Sequence, residues 1–367
     1  MGKRELLLIV LFVVAGAVVY RFTAPPPTAG ERSFSIGQLV NHVRREIRGN
    51  RASAETTSTT RYPVKAGESD LRLNLRNGEI SIIGEDRPDI EAELHVRSNG
   101  FDEAEAGRLA RAVALKVEKA GSQILVGASF PEAGSQRARL TLKIPARLRV
   151  MLDANYGPLT VSGIAGLELA SSHGEGRIRT IAGRVTGAYR GGELLVADSG
   201  DVKLTTVGTD VQLERIRGEA TLNMRSGELK GADLLGPIDL DTTGTDISLD
   251  KLSQATGVLR VHAASGSVRL KGLRTEGRID VRNAEVDVEI ERAAPLAIFS
   301  EGGGSVSITP PAGGYQLDAV ARGADITLPD RALPVTASGQ EHRASGPVRG
   351  GGPMITLRTA QGDITVR

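Results

Sequence analysis

The feature that most constrains this chain is one short phrase, written many times. Examples are TTGTDISLD at Thr242–Asp250, AASGSVRLKG at Ala263–Gly272 and TAQGDITVR at Thr359–Arg367. A glycine or asparagine opens each phrase, and these residues recur about every 18 positions: Gly157, Gly176, Gly192, Gly208, Gly227, Gly244, Gly266, Asn283, Gly304 and Gly323. A second series with the same period lies between them: Gly166, Gly183, Gly200, Gly218, Gly236 and Gly272. Two turn series with one shared period predict a flattened coil of two short strands and two corners.

Small aliphatic residues alternate with polar residues in each phrase. Alternation of period two places one set of side chains inward. We expect the inward set to include Leu159, Val161, Ile178, Leu194, Val196, Ile238, Leu240, Ile247, Leu249, Val286, Val288, Val306 and Ile308. Stacked coils would bury these residues in one narrow core, with glycine at corners that need left-handed or otherwise restricted backbone angles. The predicted fold is therefore all-β, a β-solenoid, and a β-sandwich is the alternative that such strand spacing also allows.

The segment before the regular repeats, residues 62–150, is predicted to be mixed. Alternating runs such as DIEAELHV at Asp89–Val96 predict strands. FDEAEAGRLARAVALKVEKAG has acidic residues in its first turn and ends at Gly121, so it predicts one helix over Phe101–Ala120. We expect this helix to pack near the first coil of a repeat domain that spans residues 62–367, with its regular coils at 151–367.

The N-terminus, residues 1–23, predicts a membrane segment. Lys3 and Arg4 precede the uncharged run Leu6–Tyr20, which flanking residues extend toward the ~20 apolar residues that a span needs. A cleaved signal peptide is the alternative, because Ala15–Ala17 form a small-residue cleavage pattern, and a soluble core helix is a third. An anchor or a signal peptide would export the remainder of the chain to the periplasm or the cell surface.

Residues 24–61 predict a connection between the membrane and the repeat domain. APPPTAG at Ala24–Gly30 is a stiff proline spacer. The apolar residues between Ile36 and Ile47 follow helical spacing, which indicates a stalk helix or a basic amphipathic helix on the membrane surface. RGNRASAETTSTTR at Arg48–Arg61 is interpreted as a polar linker.

Several of these stretches carry a resemblance to a known family. LRNGEISIIG from Leu75, LTLKIPARLRVMLDANYGPLTV from Leu140, turns such as SGDVKL from Ser199, and the closing ITLRTAQGDITVR resemble the "putative adhesin" family of bacterial envelope proteins over about residues 60–367. The resemblance implies a solenoid-like β fold and an adhesive role. It implies no catalytic or ligand-binding residues.

The sequence contains few patterns that are typical of catalysis or of metal binding. GxxxxGK[ST], HExxH and GxSxG are all absent from the chain, which also lacks cysteine, so no catalytic residues and no cofactor are expected. The best metal candidates are Asp239, Asp241 and Asp246, since stacked coils could gather their carboxylates around a hard cation such as Ca²⁺. An ordinary solvated strand face is the simpler interpretation of the same residues.

Three classes of function remain open. The first is a membrane-anchored, non-catalytic binding or adhesin-like module whose partner is an envelope protein or a polysaccharide. The second is a scaffold that associates with itself through solenoid ends. We nevertheless expect a monomer or weak dimer, because only the C-terminal coil is predicted to be a free end and Arg358 and Arg367 there discourage stacking. The third is a polysaccharide-cleaving β-helix enzyme, which the absence of Trp and the few aromatic residues disfavour. Nucleic-acid binding is not expected, because 46 Lys and Arg balance 44 Asp and Glu.

Overall fold

The structure is a computed structural model that describes residues 52–75, 78–130, 135–153, 155–329 and 333–367. These residues are mostly β-strand, with one short helix, α1 (Glu103–Arg111), and one 3₁₀ turn (Leu252–Gln254). The chain divides into a small compact unit that contains Arg97–Ala110 and a large one that contains Thr56–Val96 and Arg137–Arg367. No helix among the described residues is long and apolar enough to cross a membrane, and the predicted anchor, spacer and stalk helix lie outside them.

Eight strands precede the regular coils: β1 (Ala52–Pro63), β2 (Asp70–Asn74), β3 (Glu79–Glu85), β4 (Asp89–Gly100), β5 (Ala114–Ala120), β6 (Gln123–Ser129), β7 (Ser135–Pro145) and β8 (Arg149–Leu152). Two of them differ from the sequence predictions. β1 begins inside the segment interpreted as a polar linker. β5 occupies the second half of the predicted helix, where it pairs antiparallel with β6. Intrinsic preference favours a helix in ALKVEKA, but the paired backbone of β6 overrides it.

The regular coils run through thirteen strands: β9 (Leu159–Ser162), β10 (Gly166–His173), β11 (Gly176–Arg179), β12 (Val185–Arg190), β13 (Glu193–Ala197), β14 (Val202–Val207), β15 (Asp210–Ile216), β16 (Ala220–Leu234), β17 (Ile238–Asp250), β18 (Leu259–Leu273), β19 (Gly277–Ile290), β20 (Leu296–Glu301) and β21 (Val306–Thr309). The long strands β16–β19 continue through a corner. Their first halves join β8, β10, β12, β14 and β20 in what we call the first face, and their second halves join β3, β9, β11, β13, β15 and β21 in the second face.

Parallel pairing fixes the length of a coil. On the first face Leu167 pairs with Val185, Val185 with Val202 and Val202 with Ala220, so successive coils are nearly equal in length. The coil from Ile238 to its partner Leu259 is longer, because it accommodates the 3₁₀ turn. The predicted period of about 18 residues is therefore confirmed, and the architecture is a long, largely parallel sheet consistent with a β-solenoid.

All thirteen apolar residues predicted to point inward are buried, with exposed fractions of 3% or less. Among the described residues, Tyr189 and Tyr315 are the only aromatic residues in the set of largest fully buried side chains. Burial raises the pKa of Tyr189 to about 12, and its hydroxyl donates to the carbonyl oxygen of Gly174 at 3.2 Å. The core thus consists of short aliphatic side chains that successive coils bury.

The two corners of a coil use different residues. At the first corner, the left-handed position holds Gly208, Ser226, Gly244, Ser265 and Asn283 in successive coils, with φ between 52° and 62°. At the second corner it holds Thr180, Asp198, Arg215, Asp233 and Lys251, with φ between 51° and 56°. The second glycine series does not supply these left-handed residues, because only Gly272 in it has a positive φ. Glycines such as Gly200 instead allow close approach, since a Cβ there would come within 3.0 Å of the carbonyl oxygen of Gly183.

The C-terminal strands are β22 (Tyr315–Arg322), β23 (Ile326–Thr327), β24 (Thr336–Ser338), β25 (Glu341–Val348), β26 (Met354–Ala360) and β27 (Ile364–Val366). The prediction that the chain ends in a free coil is wrong. β26 lies between β20 and β22, and β27 lies between β21 and β23. The first face instead continues through β22 to β25, which pairs antiparallel with it, and then to β24.

Candidate functional site

The three aspartates proposed as metal ligands do not converge. Asp239 and Asp241 lie on the first half of β17, whereas Asp246 follows the corner at Gly244 and belongs to the second face. Asp246 accepts a hydrogen bond from the Ser267 hydroxyl at 2.8 Å. Within the described ranges no group of three or more His, Asp or Glu side chains is placed to hold a metal ion.

The acidic residues that open strands of the second face form a column across the coils. Glu175, Glu193, Asp210 and Glu228 occupy one register position and border a cavity of about 410 Å³. Asp210 Oδ1 accepts a hydrogen bond from the backbone N–H of Glu228 at 2.9 Å, and Lys230 Nζ contacts Glu228 Oε2 at 2.8 Å. The acid after the corner thus satisfies a backbone donor of the next coil, which is a scaffold role.

A larger groove of about 770 Å³ lies on the first face, across β17, β18, β19 and β20. One column of outward residues runs along it, because Asp241 pairs with His262, His262 with Asp280 and Asp280 with Phe299. Adjacent members of such a column are separated by the strand spacing of about 4.8 Å. Only Asp241 in this column was a candidate from the sequence.

Arg278 and Phe299 form the centre of the groove. Arg278 donates from Nε to Asp280 Oδ2 at 2.7 Å and from Nη2 to Asp280 Oδ1 at 3.0 Å. These bonds raise the pKa of the guanidinium. Its Cζ atom lies 4.8 Å from the centroid of the Phe299 ring, which is a cation–π geometry. The arginine thus contacts one side chain on its own strand and one on the next.

Small residues form the floor of the groove and charged residues its wall. Thr243 on β17 pairs with Ala264 on β18, and Ala264 pairs with Arg282 on β19. Arg282 Nη2 contacts Glu301 Oε2 at 3.3 Å, and both side chains are at least 70% exposed. The loss of side-chain volume at Thr243 and Ala264 between longer neighbours creates the concavity.

The backbone beneath the groove is closed to strand addition. β17 pairs with β16 and β18, and β19 pairs with β18, β20 and β21. The ladder groups of a central strand are used on both sides, so a ligand here can be recognised only through side chains. His262 Nε2 lies 3.7 Å from Asp280 Oδ2, a distance longer than that of a hydrogen bond.

Comparison with known proteins identifies the family of this chain. The model of the family described as Toastrack DUF4097 matches residues 68–367. The chain belongs to the Toastrack DUF4097 family. The resemblance drawn from the sequence to the "putative adhesin" family is confirmed. No curated protein matches the chain.

Three solved structures are similar to this toastrack chain. A "putative cell adhesion protein" from Clostridium sporogenes is 11% identical, with a TM-score of 0.20, over 85% of this chain and 99% of that one. A "putative adhesin" from Bacteroides fragilis is 10% identical, with a TM-score of 0.21, over 85% and 97%. A "putative adhesin" from Parabacteroides distasonis is 11% identical, with a TM-score of 0.27, over 85% and 97%.

The groove of this toastrack domain was missed at the sequence level, and the reason is register. His262, Arg278 and Phe299 belong to three different coils and are far apart along the chain, so no local motif joins them. One signal was available. Phe299 is one of three aromatic residues after Gly157, and it alone occupies an outward position, since Tyr189 and Tyr315 are buried.

Proposed function

We propose that this toastrack protein is a non-catalytic, adhesin-like binding module. The observation that carries the proposal is the first-face groove, where Arg278 contacts both Asp280 and the Phe299 ring. A side chain ordered before binding loses less entropy when a ligand arrives, so such a surface suits recognition.

The charged groups of the groove are paired in ways that suit binding better than proton transfer. Asp280 accepts two hydrogen bonds from Arg278, and Glu301 contacts Arg282. Asn223 donates to Asp241 at 3.4 Å. Each of these carboxylates already has an arginine or amide partner, so none of the three is an unpartnered general base, although each keeps further lone pairs that can accept from a ligand. The alternative of a polysaccharide-cleaving enzyme is therefore less well supported.

The scaffold alternative, self-association through solenoid ends, is no longer supported by the argument first given for it. That argument depended on a free C-terminal coil, and β26 and β27 lie inside the sheet. We propose that the exported part is a monomer or a weak dimer.

We place the module outside the cytoplasmic membrane, in the periplasm or at the cell surface, with Leu6–Tyr20 as its single-pass anchor. The support is the sequence pattern of two basic residues, an apolar run and a proline spacer. A cleaved signal peptide would leave the export unchanged and would remove the anchor.

The location can be tested with the full chain because it contains no cysteine. Ser338→Cys introduces one thiol on β24, where the native serine is exposed. In a bacterial host, a maleimide that cannot cross the cytoplasmic membrane should label this variant in intact spheroplasts, and should not label the parent chain. Labelling that requires lysis would overturn the proposed location.

The binding role is tested by capture. The full chain in detergent, fixed to a resin, is incubated with solubilised envelope fractions and with purified envelope polysaccharides. Retention of a polymer or a protein, without shortening of the polymer, is expected. Release of oligosaccharide fragments would show an enzyme, and the absence of any retained component would contradict the binding role.

A further inference from the structure

We propose that the first-face groove is a saccharide-binding subsite, in which Phe299 supplies the apolar platform and Arg278, Asp280 and His262 supply the polar contacts. This inference rests on the proposed function as a binding module and names its ligand class. It begins from the only aromatic ring that the coils after Gly157 present outward.

The chemistry of the groove is mixed, as a sugar ring requires. A pyranose has one face of C–H groups and a rim of hydroxyls, each of which donates and accepts hydrogen bonds. Phe299 is half-buried in the groove wall, where Arg278 lies over one face of its ring and the remaining exposed ring surface is apolar. Asp241 and Asp280 offer acceptors, while His262 and Arg282 offer donors, so a neutral polyhydroxyl ligand can pair with both kinds of group.

Arg278 retains unused hydrogen-bonding capacity. A guanidinium has five N–H donors, and the two bonds to Asp280 use Nε and Nη2. Within the described part of the chain, the two donors of Nη1 are not engaged in either bond. An arginine held by Asp280 and by the Phe299 ring can present them to a ligand hydroxyl with little further loss of side-chain freedom.

His262 and Asp280 offer a second pair of contacts. Their 3.7 Å separation leaves them unbonded to each other, so one ligand hydroxyl can donate to Asp280 Oδ2 while it accepts from the imidazole N–H. The small floor at Thr243 and Ala264 leaves room beside this pair for a ring. The groove has a volume of about 770 Å³ and is open to solvent, so a ring within a longer chain can enter it from the side.

The closed backbone favours a saccharide over an extended peptide. A peptide that binds a sheet obtains most of its main-chain hydrogen bonds from a free strand edge. The strands beneath the groove have no free edge, because each is paired on both sides. The groove therefore suits a ligand that carries its own hydroxyl donors and acceptors.

The test uses the full chain in detergent and an array of defined oligosaccharides: neutral hexose chains, N-acetylhexosamine chains and uronic-acid chains. The retained oligosaccharide is then titrated by calorimetry. Phe299→Ala and Arg278→Gln should each weaken binding at least tenfold, whereas Phe299→Tyr should preserve it because the ring remains. Arg269→Gln is the matched control. Arg269 lies on β18, which also borders the groove, but in the half of that strand that belongs to the second face. Thermal unfolding of each variant excludes misfolding.

The outcomes separate the ligand class from the general function. Binding that is unchanged in Phe299→Ala and Arg278→Gln would overturn the subsite and leave the binding module intact. Capture of a protein with no oligosaccharide retained would overturn the ligand class and support the binding module. Failure to retain any oligosaccharide, polymer or protein would overturn both proposals.

Discussion

A Cβ atom added at Gly227 would come within 3.0 Å of the carbonyl oxygen of Thr209, which lies one coil earlier. Thr209 and Gly227 each occupy the position just after the left-handed residue of the first corner. At this position the backbones of successive coils approach closely. At Gly244, which holds the left-handed position itself, the nearest atom to an added Cβ is Ser226 Oγ at 3.8 Å. Two glycines of one repeated phrase thus exist for different physical reasons.

The first prediction follows from this difference. Gly227→Ala should lower the free energy of unfolding by about 3 kcal/mol or more, because overlap with Thr209 adds to an unfavourable φ of 111°. Gly244→Ala should cost about 1–2 kcal/mol, since only the left-handed conformation is penalised. Urea unfolding of both variants measures the difference. Equal losses would contradict the stacking geometry of this corner.

The second prediction concerns Thr180, a β-branched residue with φ of 55° at the second corner. A β-branched side chain is strongly disfavoured in the left-handed region, so Thr180→Gly should stabilise the protein by about 0.5–1 kcal/mol despite the added freedom of the unfolded chain. Thr160→Gly is the control, because Thr160 is an exposed residue within β9 and its replacement should destabilise by about 1 kcal/mol. A loss of stability in Thr180→Gly would contradict the assigned backbone conformation.

The third prediction concerns Glu68, a carboxylate that is only 2% exposed. The backbone N–H of Lys65 donates to it at 2.9 Å, and this bond, together with the ion pair to Lys119 Nζ at 3.2 Å, lowers the pKa of Glu68. A lowered folded-state pKa stabilises the fold above the unfolded pKa, and that stabilisation is lost as the pH falls through the folded value.

Glu68→Gln should therefore be less stable than the parent chain at pH 7. The gap should narrow as the pH falls below about 4.3, the ordinary pKa of a glutamate in the unfolded chain, toward the lower pKa of Glu68 in the folded protein. Thermal unfolding from pH 7 to pH 3 gives both curves. Glu79→Gln is a control, because the Glu79 side chain is 44% exposed and its pair with Arg139 is solvent-screened. A gap that stayed constant with pH would contradict the role of the Glu68 charge.

The fourth prediction concerns the C-terminal strands. β26 is hydrogen-bonded on both sides, to β20 and to β22, so its amides should exchange as slowly as those of β18 in the middle of the coils. β24, which pairs with β25 alone in the described residues, should exchange faster. Hydrogen exchange read by mass spectrometry resolves these peptides. Rapid exchange throughout residues 354–366 would contradict the placement of β26 and β27 between other strands.

The period of the coils and the identity of the core follow from the sequence alone. Both are local properties: a corner that recurs twice in every coil and an apolar side chain at every second position, as in Ile247 and Leu249. Alternation points such residues into the core, and it does so regardless of which coil is stacked above or below. The sequence therefore specified the repeating unit without any knowledge of which unit lies next to which.

The order of the last coils and the composition of the groove were decided only by the tertiary structure. Val306 pairs with Ile364, near the end of the chain, rather than with the coil that follows it in sequence. All coils present the same backbone ladder and similar apolar residues, so the sequence pattern does not distinguish one neighbour from another. The groove has the same origin, because His262, Asp280 and Phe299 become neighbours only when three successive coils stack in register. Periodicity is encoded locally, whereas the choice of stacking partner is a non-local energy that no single phrase contains.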